Sequence, residues 1–246
     1  MLQIGLLGGM SWESTAEYYR LINREVGRRL GGLHSARILL ASVDFAEVER
    51  LQVAGDWAAA ADLLAGEASA LAAAGADFLV LCTNTMHKVA TEVEAAAGLP
   101  LLHLADATAA AVLAAGVGRV GLLGTAFTME QDFYRGRLAE HGLEVLVPGA
   151  DERAEVHRII YDELCVGVVR EDSRQRYREI ISALAARGAE GVILGCTEIE
   201  LLIDPDGPSP VPLFPTTRIH ALAAVDRALA TPGQATGLDD GARRRG

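Results

Sequence analysis

The feature that most constrains this chain is that part of it repeats itself. The stretch "GADFLVLCTNTM" (75–86) aligns without a gap on "GAEGVILGCTEI" (188–199), at an offset of 113 residues. Upstream, "IGLLGG" (4–9) matches "VGLLGT" (120–125) at an offset of 116. Downstream, "LPLL" (99–102) matches "VPLF" (211–214) at 112. Three matches in one order, at nearly one offset, predict two similar lobes whose equivalent strand ends can meet across a cleft.

The matched segments belong to a longer series. Residues 4–9, 36–43, 78–82, 99–104, 119–125, 143–148, 191–196 and 211–215 are short, continuous runs rich in Val, Ile and Leu. Strands buried on both faces of a parallel sheet read this way. Amphipathic segments at 14–30, 56–74, 106–115, 130–142, 151–165 and 172–187 alternate with them. The expected fold class is therefore α/β: two pseudo-symmetric lobes, each a mostly parallel sheet flanked by helices, with the active site in the cleft between them. The first lobe is expected over 1–103 and the second over 104–216, with a C-terminal helix, 217–230, returning to the first. Residues 231–246, "TPGQATGLDDGARRRG", have no apolar period and read as a disordered tail ending in a solvated arginine run.

Composition narrows the function. A formal charge of −11 argues against nucleic acid as a partner. No uncharged apolar run reaches the roughly 18 residues of a membrane span, so no membrane partner is expected. Met1-Leu2-Gln3-Ile4 leads straight into a strand pattern without a leader-type cleavage site. Three cysteines, Cys82, Cys165 and Cys196, are then expected as free thiols in a reducing, cytoplasmic setting. CxxC pairs and Cys/His clusters of zinc spacing are absent, which argues against a metal site. GxGxxG and Walker A patterns are absent too, so a nucleotide cofactor is not expected.

The repeat also ranks the polar strand ends. At offset 113, Thr83 aligns with Cys196, Asn84 with Thr197 and Thr85 with Glu198, whereas Cys82 aligns with Gly195. Cys196 follows a buried strand and precedes groups that can begin a helix, where dipole and free N–H groups lower a thiol's pKa. Glu198 stands two residues on, where it can receive a proton or orient the site. Strand alternation sends Cys82 and Thr83 to opposite sides, so one faces the cleft and the other packs. Cys82 and Cys165 also read as ordinary buried thiols, Cys165 at a helix end with cleft contact left open. In the loops "GGMSWEST" and "GTAFTMEQ", Gly8 and Gly9 permit close backbone approach. Ser14 with Glu17, and Thr128 with Gln131, have capping-box spacing. Helix starts of this kind suit carboxylates. His87 and His103 fall near the cleft by position, although a lone histidine is more often a satisfied structural residue.

At "IGLLGGMSWEST", "LCTNTMHK", "MEQDFYRGRL", "ADERA" and "GCTEI" the chain resembles the aspartate/glutamate racemase family, over about residues 3–228. Within the family it is most similar to bacterial broad-specificity or L-aspartate/glutamate racemases. The resemblance implies two α/β lobes and a small-molecule amino-acid substrate. It implies α-proton exchange by two residues on opposite faces of that substrate, without pyridoxal phosphate or metal. Two-thiol members carry Cys-Asn-Thr in the first lobe; here the run is Cys82-Thr83-Asn84-Thr85. Anchoring on Asn-Thr implies Thr83 and Cys196 as the acid/base pair, with Cys82 the alternative to Thr83. Met10, Ser11, Asn84, Thr85, Thr125, Thr197 and Glu198 are then expected around the substrate, with Gln52, Arg50 and Cys165 towards its side chain. Aspartate-specific members carry a basic side chain in the loop corresponding to 44–52 and a Lys that falls here on Cys165; these departures argue against strict aspartate specificity and leave aspartate/glutamate or a broader set of amino acids as the expected substrates. A homodimer is expected by analogy. Competing readings are a related decarboxylase, a cis–trans isomerase of a dicarboxylate, and a non-catalytic amino-acid-binding protein.

Overall fold

The computed structural model describes residues 1–230; the expected tail at 231–246 lies outside them. In chain order the elements are β1 (Ile4–Gly8), α1 (Trp12–Leu30), β2 (Ile38–Ser42), α2 (Phe45–Ala54), α3 (Trp57–Ala73), β3 (Phe78–Leu81), α4 (Ala90–Ala97), β4 (Leu101–Leu102), α5 (Leu104–Ala114), β5 (Arg119–Gly124), α6 (Ala126–Glu130), α7 (Asp132–Glu140), β6 (Glu144–Leu146), α8 (Ala150–Asp162), α9 (Glu171–Ala186), β7 (Gly191–Gly195), β8 (Leu213–Pro215) and α10 (Thr216–Leu229). Short 3-10 turns occupy Thr85–Val89, Leu164–Val166 and Thr197–Leu201.

The eight expected strands form two four-stranded sheets, both wholly parallel, with orders β2-β1-β3-β4 and β6-β5-β7-β8. The three strands matched by the repeat take the same places in both orders, and β6 stands beside β5 as β2 stands beside β1. β1, β3 and β7 are buried at every position, as their continuous apolar sequences require. Side chains from opposite faces of the first sheet enter separate clusters. Leu7, Leu79 and Leu81 pack with α3, whereas Ile4, Leu6, Phe78, Val80 and Cys82 pack with α1 and α10. Ala221, Ala224, Val225 and Ala228 of α10 lie in that last cluster, and the Leu2 amide donates to the Ala228 carbonyl at 2.9 Å.

Segment 44–52, read as a loop, is largely helix α2, because Asp44 caps it by accepting from the Ala46 amide at 3.0 Å. The capping-box spacings also mislead by three residues. Ser11 caps α1 by accepting from the Ser14 amide, and Thr125 caps α6 by accepting from the Thr128 amide. The chain reaches helical geometry sooner because the glycine turn at Gly8–Gly9 reverses it directly after β1. Gly9 has φ +94°, and a Cβ there would stand 2.2 Å from the Val43 carbonyl oxygen. Among the described residues no helix is long and apolar enough to cross a membrane.

Candidate active site

Both sheets end their central strands at one cleft. β1 and β3 supply it from the first lobe, β5 and β7 from the second, in accord with the rule that parallel sheets present function at strand carboxyl ends. Its volume is about 450 Å³, a figure that includes space open to solvent at the mouth.

At the end of β3, Thr83 lines the cleft and Cys82 does not. Cys82 is fully buried among Tyr18, Val80 and α10 side chains, its thiol 3.7 Å from the Val80 carbonyl, and burial pushes its pKa far up. The Thr83 carbonyl accepts from His87 Nδ1 at 2.7 Å, while His87 Nε2 accepts the Leu104 amide of the second lobe at 3.1 Å. Asn84 and Thr85 also line the cleft. Asn84 Nδ2 donates to Thr216 Oγ1 at 3.1 Å, and its buried Oδ1 has no partner. Thr85 and Thr125 hydroxyls meet across the lobes at 3.2 Å.

At the equivalent end of β7, Cys196, Thr197 and Glu198 line the same cleft. The Cys196 thiol donates to Glu198 Oε2 at 2.9 Å; Ser11 Oγ donates to Glu198 Oε1 at 2.8 Å. Ser14 and Thr197 hydroxyls are 2.7 Å apart. The expected depression of the Cys196 pKa is contradicted. Removal from water, then the Glu198 carboxylate, hold the thiol well above its ordinary value. The segment after Cys196 is a five-residue 3-10 turn, too short to supply a helix dipole that outweighs these effects.

Met10 and Ser11 complete the first-lobe wall, and Gln52 enters it from α2. Cys165 lines the opposite wall from the turn after α8, its thiol pushed up to about 12, mostly by burial and then by Glu198. Arg50 is exposed and outside the cleft. His87 and His103 also lie outside it. They are buried and line a separate groove with Lys88, Phe133 and Arg137. His103 caps α5 through Nδ1, accepting from the Ala105 amide at 3.2 Å. Among the described residues no group of three or more His, Cys, Asp or Glu side chains is placed to hold a metal ion.

Four lining residues were not among those expected around the substrate: Phe45, Ile160, Tyr161 and Gly195. Tyr161 stands four residues before Cys165 within the amphipathic pattern of 151–165, which was the available signal. Its hydroxyl donates to Gln52 Oε1 of the other lobe at 3.5 Å.

The family model of Asp/Glu/hydantoin racemase matches residues 7–224. A Yersinia pestis protein provisionally described as an Asp/Glu racemase is 57% identical over 94% of this chain and 100% of its own, with a TM-score of 0.88. An aspartate racemase homologue from Pyrococcus horikoshii OT3 is 36% identical over 93% of this chain and 99% of its own, with a TM-score of 0.80. The glutamate racemase of Francisella tularensis shares the fold at 16% identity, over 94% of this chain and 84% of its own, with a TM-score of 0.58. The two lobes, the shared cleft and these matches place the chain in the Asp/Glu/hydantoin racemase family, to which it belongs.

Proposed function

We propose that the protein is an amino-acid racemase that needs no cofactor and exchanges the α-proton of a free amino acid between Thr83 and Cys196. One observation carries this reading. Thr83 and Cys196 occupy equivalent strand ends of the two lobes and line one cleft, while the conspicuous thiol, Cys82, is buried behind it.

The α-proton beside a carboxylate is weakly acidic, so the carbanion must be stabilised electrostatically as it forms. Hydroxyl and amide donors at Ser11, Asn84, Thr85, Thr125 and Thr197 surround the cleft for that role. The unpartnered Asn84 Oδ1 suits the α-ammonium. Cys196 and Glu198 share one proton: when it passes from sulfur to carboxylate, the thiolate takes the Cα proton. The Thr83 hydroxyl returns a proton to the opposite face, water reprotonates the resulting alkoxide, and the hydroxide so formed takes the proton held by Glu198, which restores the starting state. A threonine hydroxyl donates readily but is a poor base. One enantiomer should therefore turn over with the higher kcat. Enantiomers have equal free energy in water, so kcat/KM must still match in the two directions.

The test is a panel of amino acids in deuterated water, read for α-deuterium, optical inversion and gas release. Deuterium gain with inversion and no CO₂ is the expected result. CO₂ release with loss of a carboxyl group would assign a decarboxylase instead, and binding without exchange would assign a non-catalytic amino-acid receptor.

A further inference from the structure

The cleft has no cation in its wall. Among the described residues no Lys or Arg lines it, and Glu198 is its one acidic side chain. Lys88 is engaged elsewhere, 3.9 Å over the Trp57 ring and 2.6 Å from Gln131 Oε1.

In the cleft wall Gln52 and Tyr161 meet from opposite lobes, and the same wall includes Phe45, Ile160 and Cys165. Gln52 is only 3% exposed, yet its amide is poorly partnered. Nε2 faces the Met86 thioether at 2.9 Å, a weak acceptor, and Oε1 has only the 3.5 Å contact with Tyr161. With the amide's oxygen and nitrogen exchanged, the nitrogen meets the Tyr161 oxygen and the oxygen faces a thioether that cannot donate, so hydrogen-bonding capacity is left over either way. A buried polar group in this condition favours a ligand that completes it.

A side-chain carboxylate entering here would lose its water, find no counter-charge, and share the cleft with Glu198. Burying an unpaired charge costs far more than burying a neutral group that is hydrogen-bonded. A carboxamide or a hydroxyl offers both a donor and an acceptor to the Gln52 amide and the Tyr161 hydroxyl. We infer, resting on the racemase reading above, that the substrate is an α-amino acid with an uncharged, hydrogen-bonding side chain, selected by Gln52 and Tyr161.

The experiment compares α-proton exchange in deuterated water for asparagine, glutamine and serine against aspartate, glutamate and alanine. In the unmodified protein, kcat/KM for the amide or hydroxyl substrates should exceed that for aspartate and glutamate by about tenfold or more. Gln52→Leu should lower the ratio of the preferred substrate's kcat/KM to that of alanine about tenfold. Cys165→Lys, which places a cation in the wall, should raise kcat/KM for aspartate or glutamate about tenfold. A preference for aspartate or glutamate in the unmodified protein, or an equal loss on every substrate in Gln52→Leu, overturns the specificity inference and leaves the racemase reading intact. Absence of exchange with every amino acid overturns both.

Discussion

Cys82 and Thr83 are chain neighbours in opposite surroundings. One is sealed in the core of the first lobe, and the other lines the cleft. Replacing Cys82 by Ala should therefore act on stability. Loss of a buried sulfur costs about 1–2 kcal/mol, read as a lower denaturant midpoint, with turnover within about threefold of the parent. Total loss of turnover in a folded Cys82→Ala protein would assign the first-lobe acid/base to sulfur. The Cys196–Glu198 contact makes a second prediction. The carboxylate raises the thiol's pKa, so Glu198→Gln should lower it. In a background of Cys82→Ala and Cys165→Ser, the pH midpoint of Cys196 alkylation should move to lower pH, while exchange slows by about tenfold or more. A midpoint that does not move would show that the contact carries no proton coupling. At this scale the pairing of Thr83 with Cys196 was legible, because the repeat aligns them. The meeting of Gln52 with Tyr161 was not, since it joins residues 109 positions apart on helices of different lobes.

Three buried histidines tie together the elements that frame the first-lobe strand end. His87 lies in the turn after β3, His103 caps α5 and His220 lies on α10. Ring centroids are 4.6 Å apart for His87 and His103, and 5.7 Å for His87 and His220. His220 Nε2 donates to the Leu102 carbonyl at 2.8 Å, and its Nδ1 accepts from the Tyr18 hydroxyl at 2.9 Å. Burial depresses all three, His103 to about 3, His220 to about 4 and His87 well below its ordinary value. Their folded pKa values lie below the unfolded value near 6.5, so the unfolded chain binds protons first as pH falls. Their stabilisation is complete above about pH 6.5 and is lost progressively down towards pH 3–4. Each imidazole removes up to about 1.4 kcal/mol per pH unit in that window. A urea midpoint that falls from pH 7.5 to pH 5, less steeply in His220→Gln, is the expected result. No change in that interval would contradict it. The elements themselves were largely readable: a strand buried on both faces has to be a continuous apolar run. Helix α2 was not, because "DFAEVERLQ" is short and acidic, and Asp44 reads as a loop residue until its carboxylate is seen capping a helix.

Over the whole molecule, the repeat becomes two sheets of identical strand order whose central strands end on one cleft. Side-chain hydrogen bonds hold the two halves together at that cleft. Ser11 reaches Glu198, Ser14 meets Thr197, Thr85 meets Thr125 and Asn84 reaches Thr216. Most of these residues belong to the repeated motifs, so the signal that revealed the lobes also marked their junction. The high thiol pKa of Cys196 was not legible, because it depends on the closed cleft and on the length of the turn after β7. The central claim is that Thr83 and Cys196 serve opposite faces of one substrate. It is tested most directly by the fate of α-deuterium in Thr83→Ala and Cys196→Ala, followed for each enantiomer separately in ordinary water. Thr83→Ala should still wash deuterium from one enantiomer without inverting it, at an inversion rate reduced about 10²-fold or more, while Cys196→Ala should lose that washout. Inversion at the parent rate in Thr83→Ala, or washout of the same enantiomer persisting in Cys196→Ala, would contradict it.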